Sequence, residues 1–136
     1  MQPIRLTLLG EPLGKARARK GGVTAKGVHF YTPEPTAHAE NAWRAIFNTS
    51  GCQPFPPKTA LEVTITFYLT RPKSLPKKIT RPLSRPDKDN LTKLVTDALE
   101  GFAYDNDSRI VDSHEHKRFA VYPDQPRTEI VIGEAT

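Results

Sequence analysis

Three acids and a lysine stand out by type and spacing. Asp87, Asp89 and Lys93 lie in Asp87-Lys88-Asp89-Asn90-Leu91-Thr92-Lys93, and Asp107 lies in Tyr104-Asp105-Asn106-Asp107. Carboxylates gathered from separate segments are what Mg²⁺ requires: a hard cation takes oxygen ligands, keeps several waters, and binds through one or two carboxylates plus substrate phosphate oxygens. Such a metal holds and polarises a scissile phosphate and generates hydroxide near neutral pH, and Mn²⁺ accepts the same donors. A lysine beside it binds a phosphate oxygen or offsets charge that develops in the transition state. The same residues also have a purely structural reading. Asp87 suits a helix N-cap, Asp89 and Lys93 suit an exposed i, i+4 ion pair worth a few tenths of a kcal/mol, and Asp105-Asn106-Asp107 suits a turn. On spacing alone both readings stand.

Other metal chemistry finds less support. His114-Glu115-His116 sets two imidazoles on one face of a strand, but a closed zinc site needs more ligands, and no cysteine or third well-placed histidine accompanies them. The single Cys52 excludes an intramolecular disulfide and a cysteine cluster and fits a reducing compartment. Met1-Gln2-Pro3-Ile4-Arg5 passes directly into an alternating pattern without the features of an export signal, and no apolar run approaches the length of a membrane span, so a cytoplasmic protein with no membrane partner is expected.

The charge is divided along the chain. The net value is +5. Residues 1–86 carry 14 basic and 4 acidic side chains, a balance of +10, whereas residues 87–136 carry 6 basic and 11 acidic, a balance of −5. The basic part suits a polyanion. The acidic part would repel the same polyanion unless a cation neutralised it, and the boundary falls inside the motif described above.

The elements that must position these residues are legible from periodicity. With 136 residues the chain makes one domain, residues 1–136. Ile4, Leu6 and Leu8 alternate as a half-buried strand that stops at Gly10. Residues 10–35 read mainly as loop, with four basic residues from Lys15 to Lys20 (Lys15, Arg17, Arg19 and Lys20), a Gly21-Gly22 breaker and a short strand within Thr24 to Tyr31. Thr36 can cap a helix that runs to about Asn48, with Ala39, Ala42, Trp43, Ile46 and Phe47 as its apolar stripe. Leu61 to Leu69 alternates strictly as a strand. Arg71 to Pro86 holds Arg71, Lys73, Lys77, Lys78, Arg81 and Arg85, four prolines and no acid, which makes it an extended basic surface loop. Leu91, Leu94, Val95, Ala98 and Leu99 define a helix over about 88–100 that Gly101 stops, with Asp87 at its start and Asp89 and Lys93 on its solvent side. The second acidic cluster follows the turn, from which the chain can return beside Asp87. Strands follow at Ile110 to Val121 and Thr128 to Ile132. The predicted class is α+β: a single mixed β-sheet with two main helices, in the order β, loop, α, β, basic loop, α, β, β.

At these residues the chain resembles the RusA-type Holliday-junction resolvases, a family of crossover junction endodeoxyribonucleases. The resemblance runs through Arg85-Pro86-Asp87-Lys88-Asp89-Asn90-Leu91-Thr92-Lys93, Asp97-Ala98-Leu99-Glu100-Gly101 and Asp107-Ser108-Arg109-Ile110-Val111. Gly10-Glu11-Pro12 with Lys15, Arg17 and Arg19, and Tyr31-Thr32-Pro33 before the first helix, support it, so that it covers residues 4–120. It implies a homodimeric, Mg²⁺-dependent phosphodiester hydrolase of bacterial or phage origin that places paired nicks in four-way DNA junctions during recombination and repair. It further implies that Asp87, Asp89 and Asp107 are the metal-binding carboxylates and Lys93 the catalytic lysine. The family commonly shows two adjacent aspartates before the returning strand, where this chain has Asp105-Asn106-Asp107. Asp107 aligns with the second of them because Ser108-Arg109-Ile110-Val111-Asp112 then stays in register, which leaves Asp105 a lesser candidate.

In this reading Lys15, Arg17, Arg19 and Lys20, with the cations of the 71–86 loop, grip the DNA arms. A two-fold dimer matches the two equivalent strands that a junction offers. Two rivals remain: a non-catalytic basic DNA-binding module, and a metal nuclease that acts on other branched DNA.

Overall fold

The computed structural model describes residues 1–16, 19–24, 27–31 and 34–136. Four strands make one mixed sheet: β1 (Ile4–Leu9), β4 (Leu61–Leu69), β5 (Ile110–Phe119) and β6 (Arg127–Glu134), in the order β1-β6-β4-β5. β6 is antiparallel to both β1 and β4, whereas β5 is parallel to β4. Strict alternation sets β4 in the middle: Leu61, Val63, Ile65, Phe67 and Leu69 are all buried, and the residues between them are half-buried on the other face.

Two helices, α1 (Glu34–Ser50) and α2 (Lys88–Leu99), pack together. α1 buries Thr36, Glu40, Trp43 and Phe47, and α2 buries Leu91, Leu94, Val95, Ala98 and Leu99. These side chains meet the buried face of the sheet in one apolar core with Phe55, Ala103 and Tyr104. The expected class and helices are therefore present. Thr36 is not a cap, however. α1 begins two residues earlier, and the Thr36 hydroxyl lies buried in its first turn, where it accepts from the Ala16 N–H at 3.2 Å.

Within residues 10–35 the short strand expected in Thr24 to Tyr31 is present as β3 (Gly27–Tyr31), whereas β2 (Arg19–Thr24) lies where only loop was expected. The two pair antiparallel as a separate two-stranded ribbon. Gly21 and Gly22, read as a breaker, fall where the pairing register slips between Lys20 and Val23, the place at which a strand tolerates an irregularity without a side chain to pack. Gly27 at φ 109° opens β3.

The β4–α2–β5 connection positions the site. Parallel neighbours require a crossover, and α2 supplies it. The helix therefore runs antiparallel to β4 and β5. Its N-terminus, reached through the 71–86 loop, lies at the carboxyl ends of these strands, and its C-terminus lies at their start. Among the described residues, no helix is long and apolar enough to cross a membrane.

Candidate functional site

The apolar stripe of α2 fixes which of its side chains face outward. Asp87 occupies the N-cap position, and its backbone carbonyl accepts from the Leu91 N–H at 3.1 Å, yet its side chain makes no capping bond. Asp89 follows in the first turn and Lys93 one turn later, and all three are exposed. Among the described residues none of the three side chains has an ion pair or hydrogen-bond partner, so neither the capping role of Asp87 nor an Asp89–Lys93 pair is formed.

The basic loop adjoins this end. Arg71 is spent internally: its guanidinium donates to the Pro76 and Ile79 carbonyls at 2.8 and 3.2 Å and lies 5.8 Å from the Phe119 ring centroid. Lys73, Lys77, Lys78, Arg81 and Arg85 point into solvent. From β5, Lys117 donates to the Ser84 carbonyl at 2.7 Å. Arg81, Asp87, Lys88, His116, Lys117 and Arg118 share an open cleft of about 550 Å³. His114 faces Glu62 at 3.7 Å.

The other end of α2 gathers acids. Glu100 caps the helix, and Gly101 at φ 82° turns the chain through a conformation that side chains disfavour. Tyr104 folds back, and its hydroxyl donates to the Thr96 carbonyl at 2.6 Å. Burial and the negative field of Asp107, Glu100 and Asp97 push this phenol well above its usual range. The Asn106 side chain accepts from the Ser108 N–H at 2.8 Å and starts a 3₁₀ turn over Asp107–Arg109. The Asp107 N–H donates to Glu100 Oε2 at 3.3 Å. Carboxylate oxygens of Asp97, Glu100 and Asp107 thereby come within 4.8 Å of one another. Three hard oxygen donors suit Mg²⁺ or Mn²⁺. Lys15 Nζ contacts Asp97 at 3.2 Å and the buried Glu40 at 2.8 Å. Burial lowers its pKa, but the two carboxylates outweigh that and leave it raised. Asp105 is outside this group and is held by Arg109 at 2.9 Å, and the guanidinium lowers its pKa.

Of the four residues that the sequence groups together, one chain unites Asp87, Asp89 and Lys93 along α2 but sets Asp107 at the opposite end, about 18 Å of helix away. The return beside Asp87 does not occur, because the chain after Gly101 leads directly to Ile110, which pairs with Leu61 at the start of β4. Asp107 meets Asp97 and Glu100 instead. These two were missed as site residues, although the steps of four, four and three from Asp89 through Lys93 and Asp97 to Glu100 follow one helical face. Among the DNA-binding candidates, Lys15 is engaged with Glu40 and Asp97, the backbone of Arg19 and Lys20 lies in β2, and Arg17 falls outside the described residues.

The family profile "Endodeoxyribonuclease RusA" matches residues 10–133, most of the chain. A protein of Bacillus subtilis (strain 168) with the name "Uncharacterized protein YqaN" is similar at 28% identity over 150 residues, an alignment that covers 100% of this chain and 99% of the relative.

Proposed function

The chain belongs to the RusA endodeoxyribonuclease family, and from that premise we propose that it is a Mg²⁺-dependent resolvase of four-way DNA junctions. It acts as a homodimer, places paired symmetric nicks, and serves recombination and repair in a bacterial or phage setting. The observation that carries this reading is the division of the acids between the two ends of α2, with a solvent-facing basic loop at one of them.

Two copies related by a two-fold axis supply what one chain separates. β5 is the outer strand of the sheet, ten residues long, with Val111, Asp112, Ser113 and His114 exposed along it. An unpaired edge of that length is a template for a second strand. Two-fold pairing of β5 edges is antiparallel, which sets each Asp107 at the level of the second copy's Asp87 and Asp89. The carboxylates of Asp87, Asp89 and Asp107 are the proposed cation ligands, with Asp97 and Glu100 supporting Asp107. The chemistry of a divalent cation held there is Lewis-acid polarisation of a phosphate and activation of water near neutral pH. Lys93 offers an unpaired ammonium to a phosphate oxygen as charge develops on it. Lys73, Lys77, Lys78, Arg81 and Arg85 grip the backbone of the DNA arms, and Arg17, Arg19 and Lys20 extend that grip, whereas Lys15 is engaged with Glu40 and Asp97.

The test mixes two inactive chains on a synthetic four-way junction in Mg²⁺. Asp89→Asn and Asp107→Asn are each expected to bind without cutting, while a mixture regains single nicks because one of the two shared sites is then intact. A mixture that stays inactive rejects the shared site. A wild type that binds junctions and never cuts them rejects the nuclease. Flap and fork substrates in the same assay identify a nuclease of other branched DNA.

A further inference from the structure

Leu83 is an aliphatic side chain left 79% exposed near the end of the basic loop. Cations flank it, with Arg81 and Arg85 two residues away on either side and both exposed. The loop that carries it is braced at two points. Arg71 holds the Pro76 and Ile79 carbonyls before it, and Lys117 reaches from β5 to the Ser84 carbonyl directly after it. Leu83 also forms a shared rim. On one side lies a pocket of about 250 Å³ that includes Leu69, Leu75, Ile79 and Phe119, and on the other the cationic cleft that contains Asp87. Leu83 thus lies at the edge of an apolar pocket and still leaves 79% of its surface exposed.

We propose that Leu83 is a wedge that enters the branch point of bound DNA and thereby determines the preference for branched over continuous duplex. The proposal rests on the branched-DNA reading given above. A strand whose phosphates lie on Arg81, Lys88, Lys117 and Arg118 passes the Leu83 rim before it reaches Asp87. Aliphatic side chains beside basic residues insert between base steps and unstack them. The cost is least where bases are already unpaired or poorly stacked, a condition that a branch point meets and an uninterrupted duplex does not. The braces matter because a wedge held in place loses little conformational freedom on entry. Selectivity of this kind needs no hydrogen bond to a base edge.

The experiment uses the full chain and a four-way junction with 2-aminopurine at the branch point, or in mid-arm as control, with Ca²⁺ in place of Mg²⁺ to hold the complex uncut. Wild type raises fluorescence at the branch point alone. Leu83→Ser abolishes the rise, and in Mg²⁺ its preference for junction over duplex cleavage falls by about tenfold or more, the lower end of the cost of unstacking one base step. Leu83→Met retains both. The wedge is overturned if Leu83→Ser gives the wild-type rise and the wild-type cleavage ratio, or if it changes the sedimenting mass, which would place a second copy over Leu83. A Leu83-dependent rise without any cleavage keeps the wedge and rejects the nuclease reading. Junction cleavage without such a rise does the reverse.

Discussion

The N-terminal end of α2 favours acids and the C-terminal end opposes them. Aligned peptide dipoles leave partial positive charge at the first turn and partial negative charge at the last. Asp87 and Asp89 therefore sit where a carboxylate is stabilised for ordinary reasons, and a helix would keep them with no catalytic role. Asp97, Glu100 and Asp107 crowd within 4.8 Å at the end where the dipole repels them, and the last turn holds no basic residue. Of these three, Lys15 offsets Asp97 alone, and Arg109 is occupied by Asp105. One backbone hydrogen bond, from the Asp107 N–H to Glu100, and the Lys15–Asp97 pair are what folding gains from that arrangement, so the dipole accounts for the acids at the first turn and not for those at the last.

Amide substitutions measure the two ends against each other. Asp89→Asn and Asp107→Asn are expected to lower junction cleavage in Mg²⁺ by more than the roughly 10–100-fold typical of a group that acts through a ligand. Asp97→Asn and Glu100→Gln are expected to fall within that range. Equal losses at all four positions would make the C-terminal set a complete site of its own, and no loss at Asp89 would leave the N-terminal acids as helix-start residues.

Next in size is the grip on DNA. Lys77, Lys78 and Arg81 are exposed and clear of the intramolecular braces that occupy Arg71. Replacing all three with glutamine is expected to weaken junction binding and to reduce the salt slope, log K against log [salt], by about 0.9 for each phosphate no longer neutralised. The slope should not move in Asp89→Asn. If the triple variant keeps the wild-type slope, the loop is only a solvated face.

Much of this was legible in the sequence, and the failures share a cause. Strict alternation over Leu61–Leu69 and the apolar spacing of α2 come from local pattern, and both elements appear where expected. The basic loop follows from proline and charge alone. Where Asp107 goes depends on which strand Ile110 pairs with, and composition carries no signal for that. A parallel β5 sends Asp107 to the far end of the helix, whereas an antiparallel one would have brought it back to Asp87. Of the β2–β3 ribbon, β3 falls within the strand expected in Thr24 to Tyr31, and β2 was hidden because Gly21-Gly22 marks a breaker and a strand irregularity equally well.

Stability separates Lys15 from the acids it touches. Glu40 is 7% exposed, and Lys15 is its ion-pair partner among the described residues. Lys15→Met is expected to cost about 1–3 kcal/mol in chemical unfolding at pH 7, the penalty of a buried acceptor left without its donor. The folded pKa of Lys15 lies above its ordinary value of 10.5, so its contribution is fully present below that pH and is lost as pH rises through the folded value. The difference between wild type and variant should therefore narrow at strongly alkaline pH. Equal stability at pH 7 would show that Lys15 only decorates the surface.

Glu100→Gln should act in the opposite direction and more weakly. Removing a charge from the unfavourable end of the dipole is expected to stabilise the metal-free protein by about 0.3–1 kcal/mol. The same change should shrink the rise in Tm that Mg²⁺ produces. A lower metal-free Tm would mean that the hydrogen bond from Asp107 N–H outweighs the repulsion.

The smallest effect belongs to Asp105, two residues from a proposed ligand. Its carboxylate is exposed and held by Arg109, which keeps its pKa below the ordinary value of 3.8. Such a group stabilises the fold above that value and ceases to do so as pH falls through the lower folded pKa. Asp105→Asn should therefore lower Tm only slightly at neutral pH, since exposed pairs contribute little, and its Tm should converge with wild type in acid. Junction cleavage should be unchanged, because this side chain is paired with Arg109 and lies outside the group of Asp97, Glu100 and Asp107. Loss of cleavage in Asp105→Asn with full activity in Asp107→Asn would exchange the two roles. It would also move the ligand out of the acidic set, and the contrast between the two ends of α2 would then have a purely structural origin.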